Sequence, residues 1–166
     1  MVHALSSTSC ASSLAPQDYH RFHAPVDGVM GRIHDVTGTY YTVNPMAIRD
    51  RDIDVFTENK RVVTSIRSPQ FHRVGVVIIG AMCVGSIHIT AQRHTPVRRL
   101  DELGYFAFGG STLICLFKAG TIEFDRDLLE NSAKQLETLV RVGDSIGRAR
   151  SPSALAAQDL PTGLKR

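Results

Sequence analysis

Two short stretches contain the residues best suited to chemistry, and the first is GYFAFGGSTLICLF, Gly104 to Phe117. Within it, Gly109-Gly110-Ser111-Thr112 interrupt a run of aromatic and aliphatic residues. A β-bulge or tight turn between two strands explains this pattern on local grounds, because glycine tolerates positive φ. A second interpretation is an internal nucleophile. Gly110 has no Cβ, so the Ser111 hydroxyl could approach its carbonyl carbon and attack its own chain.

The second stretch is DYHRFHAP, which places His20 and His23 three residues apart. On a helix this spacing would put both imidazoles on one face, where they could bind a metal ion. Zinc is disfavoured, because no cysteine pair assists and Pro25 disfavours helix at Ala24. General acid and base chemistry near neutral pH also suits histidine and needs no third ligand. We therefore expect no metal site here.

The composition predicts the kind of fold that must position these residues. The chain has 166 residues, 43% of them hydrophobic, and 13 glycines, with Val, Ile and Thr abundant. These features predict a β-rich α+β single domain with few short helices. We expect a disordered segment at residues 1–13, a domain at 14–147 and a disordered tail at 148–166, because neither end has a sustained apolar pattern.

Several elements can be predicted from local patterns. GVMGRIHDVTGTYYTVNP reads as two short strands around a turn at Gly38, and KRVVTSI reads as a further strand. Val74 to Ile89 predicts strand, turn and strand. DRDLLENSA predicts a helix with Asp125 as its N-cap. ETLVRVGDSIG predicts a strand that leads into a turn at Gly143-Asp144.

Charge and cysteine usage narrow the possible partners. The net charge is +3, but the basic residues are scattered, which argues against nucleic acid and suits an anionic lipid surface. The most apolar stretch contains three glycines and is too short to span a bilayer, and the N-terminus lacks the pattern of a signal peptide. Any membrane association would then be peripheral. The three cysteines show no CxxC spacing, which is typical of a reducing compartment.

The order and spacing of five strings resemble the phosphatidylserine decarboxylase family, in particular the branch whose processing motif ends in Gly-Gly-Ser-Thr. The resemblance runs from Leu14 to Gly147. The strings are LAPQDYHRFHAPVDG, YYTVNPMAIR, DVFTENKR, GAMCVGSI and DELGYFAFGGST. VRVGDSIG is also similar to the last strands of lipoyl-type hybrid barrels.

The resemblance implies a self-processing enzyme. Ser111 would attack the Gly110 carbonyl, and the chain would split into a β chain of residues 1–110 and an α chain of 111–166, which remain together as a heterodimer. Ser111 would become a pyruvoyl group, which supplies the electrophilic carbonyl that no standard side chain offers. His23 would be the base for processing and His20 would serve the decarboxylation step, so both imidazoles should lie within proton-transfer reach of Ser111. The substrate would be phosphatidylserine at a membrane surface, an endomembrane in a eukaryote, and the product phosphatidylethanolamine.

One departure from the family concerns the aspartate that orients the processing histidine. In the family this residue precedes the segment that matches here, as does a region that helps membrane association, and neither Asp27 nor Asp18 matches it. An unoriented imidazole can adopt the wrong tautomer. We therefore expect this chain, expressed alone, to be mostly uncleaved.

Two alternatives stay open beside the decarboxylase. One is a remnant of the family that does not mature and has a lipid-binding role or no catalytic role. The other is a small lipoyl-like binding module. It is disfavoured because no lysine lies at a hairpin tip and because the Gly-Gly-Ser-Thr motif would be unexplained.

Overall fold

A computed structural model describes residues 2–6, 8–14, 20–43, 54–81, 86–107 and 111–150, with the backbone alone at 2–6, 86 and 111. The described part of the chain contains thirteen strands and two helices. The strands are β1 (Val2–Ser6), β2 (Ser9–Leu14), β3 (Arg21–His23), β4 (Gly28–Met30), β5 (His34–Val36), β6 (Arg61–Ser68), β7 (His72–Ile79), β8 (Ser86–Ile89), β9 (Pro96–Val97), β10 (Glu102–Ala107), β11 (Ser111–Leu116), β12 (Ile122–Phe124) and β13 (Gly147–Ala149). The helices are α1 (Val55–Glu58) and α2 (Arg126–Ala133).

The strands form one large sheet and two small ones. The large sheet has the order β1-β2-β11-β7-β6-β4-β9, and β5 also pairs with β6. A three-stranded sheet has the order β3-β10-β8, and β12 pairs with β13. The predicted β-rich α+β class is therefore confirmed, whereas the likeness to lipoyl-type hybrid barrels remains a prediction.

The core is built on the alternating pattern of the long hairpin β6–β7. Val62, Thr64 and Ile66 are buried on β6, and their neighbours along the strand are more exposed. This period of two gives the hairpin one face toward the core. Phe22 of β3 and Phe106 of β10 pack edge to face with ring centroids 5.1 Å apart, and so attach the three-stranded sheet to the same core.

Gly104 allows β8 and the Phe22 ring to approach the backbone of β10 closely. A Cβ at this position would collide with the His88 carbonyl oxygen and lie 2.7 Å from Cζ of Phe22. Glycine is therefore required on β10, where neighbouring backbone and a core ring leave no room for a side chain.

The prediction of disorder at residues 1–13 is wrong, because β1 and β2 occupy most of this segment. β2 pairs with β11 over six residues, from Ser9↔Leu116 to Leu14↔Ser111. Backbone hydrogen bonds hold such a ladder, so the serine-rich composition that suggested disorder does not prevent it.

Local predictions had mixed outcomes elsewhere. The strands at KRVVTSI, at Val74–Ile79 and before residue 89 are confirmed, as is helix α2, although the Asp125 side chain makes no capping hydrogen bond. The strand predicted in ETLVRVG is wrong, because its apolar residues pair with no other strand in the described part of the chain. The turn that follows is confirmed by the hydrogen bond from Asp144 N to Arg141 O. Of the two strands expected around Gly38, the N-terminal one is confirmed as β5, whereas the described residues 40–43 form no strand, since Asn59 binds the Tyr41 backbone instead.

Asn59 is the buried polar anchor of this region, and its replacement by alanine is expected to destabilise the protein strongly. Its side chain is fully buried and binds the Tyr41 N–H (2.8 Å), the Tyr41 carbonyl (2.8 Å) and the Gly80 carbonyl (2.9 Å). Asn59→Ala would leave these groups without partners, which should lower the free energy of unfolding by about 3–5 kcal/mol.

Equilibrium unfolding in urea measures this effect, with Thr57→Ala as the control. Thr57 is exposed on helix α1, which ends just before Asn59, and its hydroxyl donates to the Asp54 carbonyl at 3.2 Å. We expect the control to change stability by less than about 0.5 kcal/mol. An Asn59→Ala effect as small as that of the control would contradict the anchoring role.

The predicted start of the tail at residue 148 is also corrected, because Arg148 and Ala149 belong to β13. Arg148 pairs with Glu123 (3.2 Å), and Arg150 N donates to the Thr121 carbonyl (3.0 Å). Residues 151–166 lie outside the described residues. The side-chain pair between Arg148 and Glu123 is exposed, so the ladder itself is expected to matter more than the charges.

Two truncated chains test where the domain ends. A chain that ends at Arg150 keeps β13 and should unfold within about 1 °C of the full chain, whereas one that ends at Ile146 should unfold about 3–6 °C lower. Thermal unfolding followed by circular dichroism measures both. Equal losses in the two chains would show that residues after 150 are docked on the domain.

Candidate active site

The Gly-Gly-Ser-Thr motif lies where the chain passes from one sheet to another. β10 ends at Ala107 in the three-stranded sheet, and β11 begins at Ser111 in the large sheet. Residues 108–110, with both glycines, and the Ser111 side chain lie outside the described residues. The predicted connection between two strands is thus confirmed in its placement, and it links strands of two different sheets.

β11 is held on one side from its first residue and on the other side from its second. Ser111 is the register partner of Leu14 on β2, and Thr112 is the partner of Ile79 on β7. A strand bound on two edges keeps its position even if the chain is cut just before it. The backbone of residue 111 is therefore fixed independently of its covalent link to residue 110.

His20 lies at the end of β10 that leads into the glycines. Its carbonyl accepts a hydrogen bond from Phe106 N at 2.9 Å, and its Nε2 is buried. Phe106 is only five residues before Ser111. The fold therefore brings the backbone of His20 beside this short connection, across more than eighty positions of sequence.

His23 is the last residue of β3 and is the register partner of Glu102 on β10. The Glu102 carboxylate binds the Arg21 guanidinium at 2.5 Å and accepts a hydrogen bond from the Thr90 hydroxyl at 3.1 Å. The Arg21 guanidinium, with help from Thr90, holds the pKa of the Glu102 carboxyl below its ordinary value. A charged carboxylate is thus a close neighbour of His23. No local pattern in the sequence indicates this neighbour, because the pairing of β3 with β10 is a long-range contact.

A cavity of about 880 Å³ connects His23 with the surroundings of Ser111. Leu14 and Leu113 line the cavity. Leu14 is the register partner of Ser111, and Leu113 follows Ser111 by two positions on β11. Phe22 and Ile146 add to its apolar wall. The cavity therefore offers a largely apolar space, shared by His23 and the first residues of β11, that could hold an organic substrate.

Three arginines, Arg21, Arg99 and Arg141, lie in the cavity wall. Arg99 pairs with Asp27, with Nε to Oδ2 at 3.5 Å, and its backbone N–H also donates to that carboxylate at 2.8 Å. Asp27 thus supports the turn at Arg99. Arg21 is likewise paired with Glu102, and Asp144 also lies in the wall, so the arginines offer guanidinium donors for an anionic ligand rather than a net positive charge.

The mouth of the cavity is unusually apolar. Leu139 and Val142 line it with 76% and 61% of their surface exposed, and Leu100 lines it from the neighbouring turn. Among the described residues no helix is long and apolar enough to cross a membrane. No group of three or more His, Cys, Asp or Glu residues that could hold a metal ion occurs in that same part of the chain.

Comparison with known proteins identifies the family to which this site belongs. The family model described as phosphatidylserine decarboxylase matches residues 3–148, so the chain belongs to the phosphatidylserine decarboxylase family. The match includes both histidines, the Gly-Gly-Ser-Thr motif and every strand from β2 to β12.

Individual relatives carry the same description. The chain is 54% identical over 144 residues to phosphatidylserine decarboxylase proenzyme 3 of Schizosaccharomyces pombe, covering 87% of this chain and 15% of that protein. It is 52% identical over 147 residues to proenzyme 2 of Oryza sativa subsp. japonica (89% and 24%), and 47% identical over 135 residues to the proenzyme of Chlamydia muridarum (81% and 44%). The chain thus spans less than half the length of these relatives.

Proposed function

We propose that this chain is the catalytic segment of a pyruvoyl-dependent phosphatidylserine decarboxylase, which converts phosphatidylserine to phosphatidylethanolamine and CO₂ after self-cleavage between Gly110 and Ser111. One observation carries the proposal. Ser111 is the first residue of a strand bound on both edges, directly after a link that changes sheets, in a chain that belongs to this family over residues 3–148. The relatives' description as proenzymes supports a processing step.

The cleavage would use the backbone as a reactant. The Ser111 hydroxyl loses its proton to His23 and attacks the Gly110 carbonyl carbon, and the C–N bond breaks as an ester forms. Elimination then breaks the bond between Cβ and the ester oxygen, which leaves Gly110 with a carboxylate. Hydrolysis of the unsaturated residue 111 releases ammonia and leaves the pyruvoyl group.

The described residues fit such a group. The pyruvoyl carbonyl supplies the electron sink for loss of CO₂. Because β2 and β7 pair with β11 from its first residues, a new N-terminus at residue 111 would stay in place beside Leu14 and Leu113. The same ladders would hold residues 1–110 and 111–166 together as an α/β heterodimer.

The surroundings have roles of their own in the reaction. The apolar wall of the cavity keeps water away from the reacting atoms, and the arginines favour the negative phosphate and carboxylate of the serine headgroup. His20 would exchange a proton with the substrate during decarboxylation. The exposed apolar mouth at Leu100, Leu139 and Val142 suits a lipid that arrives from a membrane surface, with the protein bound peripherally.

A chimera tests the proposal. The matched 144-residue segment of the S. pombe relative would be replaced by this chain, and the product examined by denaturing gel, intact mass and release of labelled CO₂ from phosphatidylserine in detergent micelles. We expect two chains, a hydroxylamine-reactive carbonyl on the fragment that begins at residue 111, and decarboxylation. A folded chimera that stays one chain would favour the remnant instead. The isolated chain, run beside it, tests the expectation that it is mostly uncleaved.

A further inference from the structure

Cys10 and Cys115 face each other across two strands of the large sheet. They are direct register partners in the antiparallel ladder between β2 and β11, and both are free thiols. Directly opposed residues in such a ladder have Cα atoms about 4.5–5.5 Å apart, within the range of about 4.4–6.8 Å found across disulfides. The backbone therefore already has the spacing that a disulfide requires.

The two thiols also differ in reactivity. A hydrogen bond from the Cys115 thiol, aided by the Cys115 backbone N–H, holds the pKa of Cys10 below its ordinary value, although burial acts in the opposite direction. Donation of that hydrogen bond, together with burial, raises the pKa of Cys115 well above its ordinary value. Cys10 is thus the better nucleophile of the pair, and Cys115 keeps its proton until a later step.

A small reagent can reach the pair through the cavity. Only 3% of the Cys10 surface is exposed, but both cysteines line the cavity whose mouth is formed by Leu139 and Val142. The cavity has a volume of about 880 Å³, and Arg141 lies in its wall. A small disulfide of two short peptides could therefore enter the cavity.

We propose that Cys10 and Cys115 are a modification site, at which a small disulfide of the glutathione type oxidises the pair to a cross-strand disulfide. The Cys10 thiolate attacks one sulfur of the reagent, forming a mixed disulfide and releasing one thiolate. Cys115 then gives up its proton, its sulfur attacks Cys10, and the second reagent thiolate leaves. Two protein thiols are oxidised by two electrons, and one reagent disulfide is reduced to two thiols.

The position of the pair gives the modification a consequence. Cys10 precedes the Gly110–Ser111 bond and Cys115 follows it, so the disulfide would join the two chains of a processed molecule covalently. This consequence rests on the proposed function, whereas formation of the disulfide does not. The two can therefore fail separately.

Peptide mapping of the intact chain tests the proposal. The protein is incubated with oxidised glutathione, alkylated and digested with trypsin, which places the three cysteines in the separate peptides 1–21, 74–93 and 100–118. We expect peptide 1–21 linked to 100–118, with no glutathione retained at either site, and full reversal by a thiol reductant. Cys83→Ser is the matched control and should give the same linked pair.

Single variants test the order of the steps. Cys115→Ser should accumulate a glutathione adduct at Cys10, because the thiol that resolves it is absent, whereas Cys10→Ser should react much more slowly. If the wild-type protein keeps Cys10 and Cys115 fully alkylatable, or links either to Cys83, while circular dichroism shows a folded chain, the proposal is wrong. If the linked peptides form in this chain but the chimera is never cleaved, the disulfide stands and the proposed processing fails.

Discussion

Ser111→Ala is expected to leave the chimeric proenzyme as a single chain without a reactive carbonyl and without detectable decarboxylation. Alanine has no hydroxyl to attack the Gly110 carbonyl, and no other group can become the pyruvoyl carbonyl at that position. The loss should be complete, because the same residue is needed for cleavage and for the electron sink. Ser111→Cys keeps a nucleophile at the same place and should still cleave, at a different rate.

The neighbouring hydroxyl provides the control for this experiment. Thr112 is buried and pairs with Ile79, so Thr112→Val keeps the shape of the side chain and should still give two chains. Intact mass distinguishes the outcomes directly. Two chains from Ser111→Ala, with the new N-terminus at another residue, would show that the nucleophile had been assigned wrongly.

The two histidines are expected to separate processing from turnover. His23→Ala should slow cleavage by about 10²–10⁴-fold, because it removes the proposed base for the Ser111 hydroxyl. His20→Ala should still give two chains, with the rate of decarboxylation lowered by a similar factor of about 10²–10⁴. The cavity places His23 among residues around Ser111, and His20 lies against the strand that leads to the glycines.

Time courses of cleavage and of CO₂ release, measured on the same chimeras, distinguish the two roles. His34→Ala is the control, since His34 is exposed on β5 and should affect neither rate. Hydroxylamine labelling reports how much of each variant carries the pyruvoyl group, so that turnover can be expressed per mature molecule. An uncleaved His20→Ala protein beside a normally processed His23→Ala protein would reverse the assignment.

The sequence by itself determined the features that depend on near neighbours. The β-forming residues of KRVVTSI and of the apolar run from Val74 predicted β6 and β7, and Asp125 as an N-cap predicted α2, because each of these signals lies within one element. The glycines before Ser111 indicated a connection between strands for the same reason. The residue types proposed for the chemistry, Ser111, His20 and His23, could also be read directly.

Only the tertiary structure decided which of these elements meet. Serine-rich β2 gave no local signal of a strand, yet its pairing with β11 fixes the position of residue 111 and places Cys10 opposite Cys115. The approach of Glu102 to His23 likewise depends on the register of β3 with β10. The hydrogen bonds between two strands are made by backbone groups that every residue has. Side chains therefore specify which strands pair, and in which register, only through the face of each strand that becomes buried.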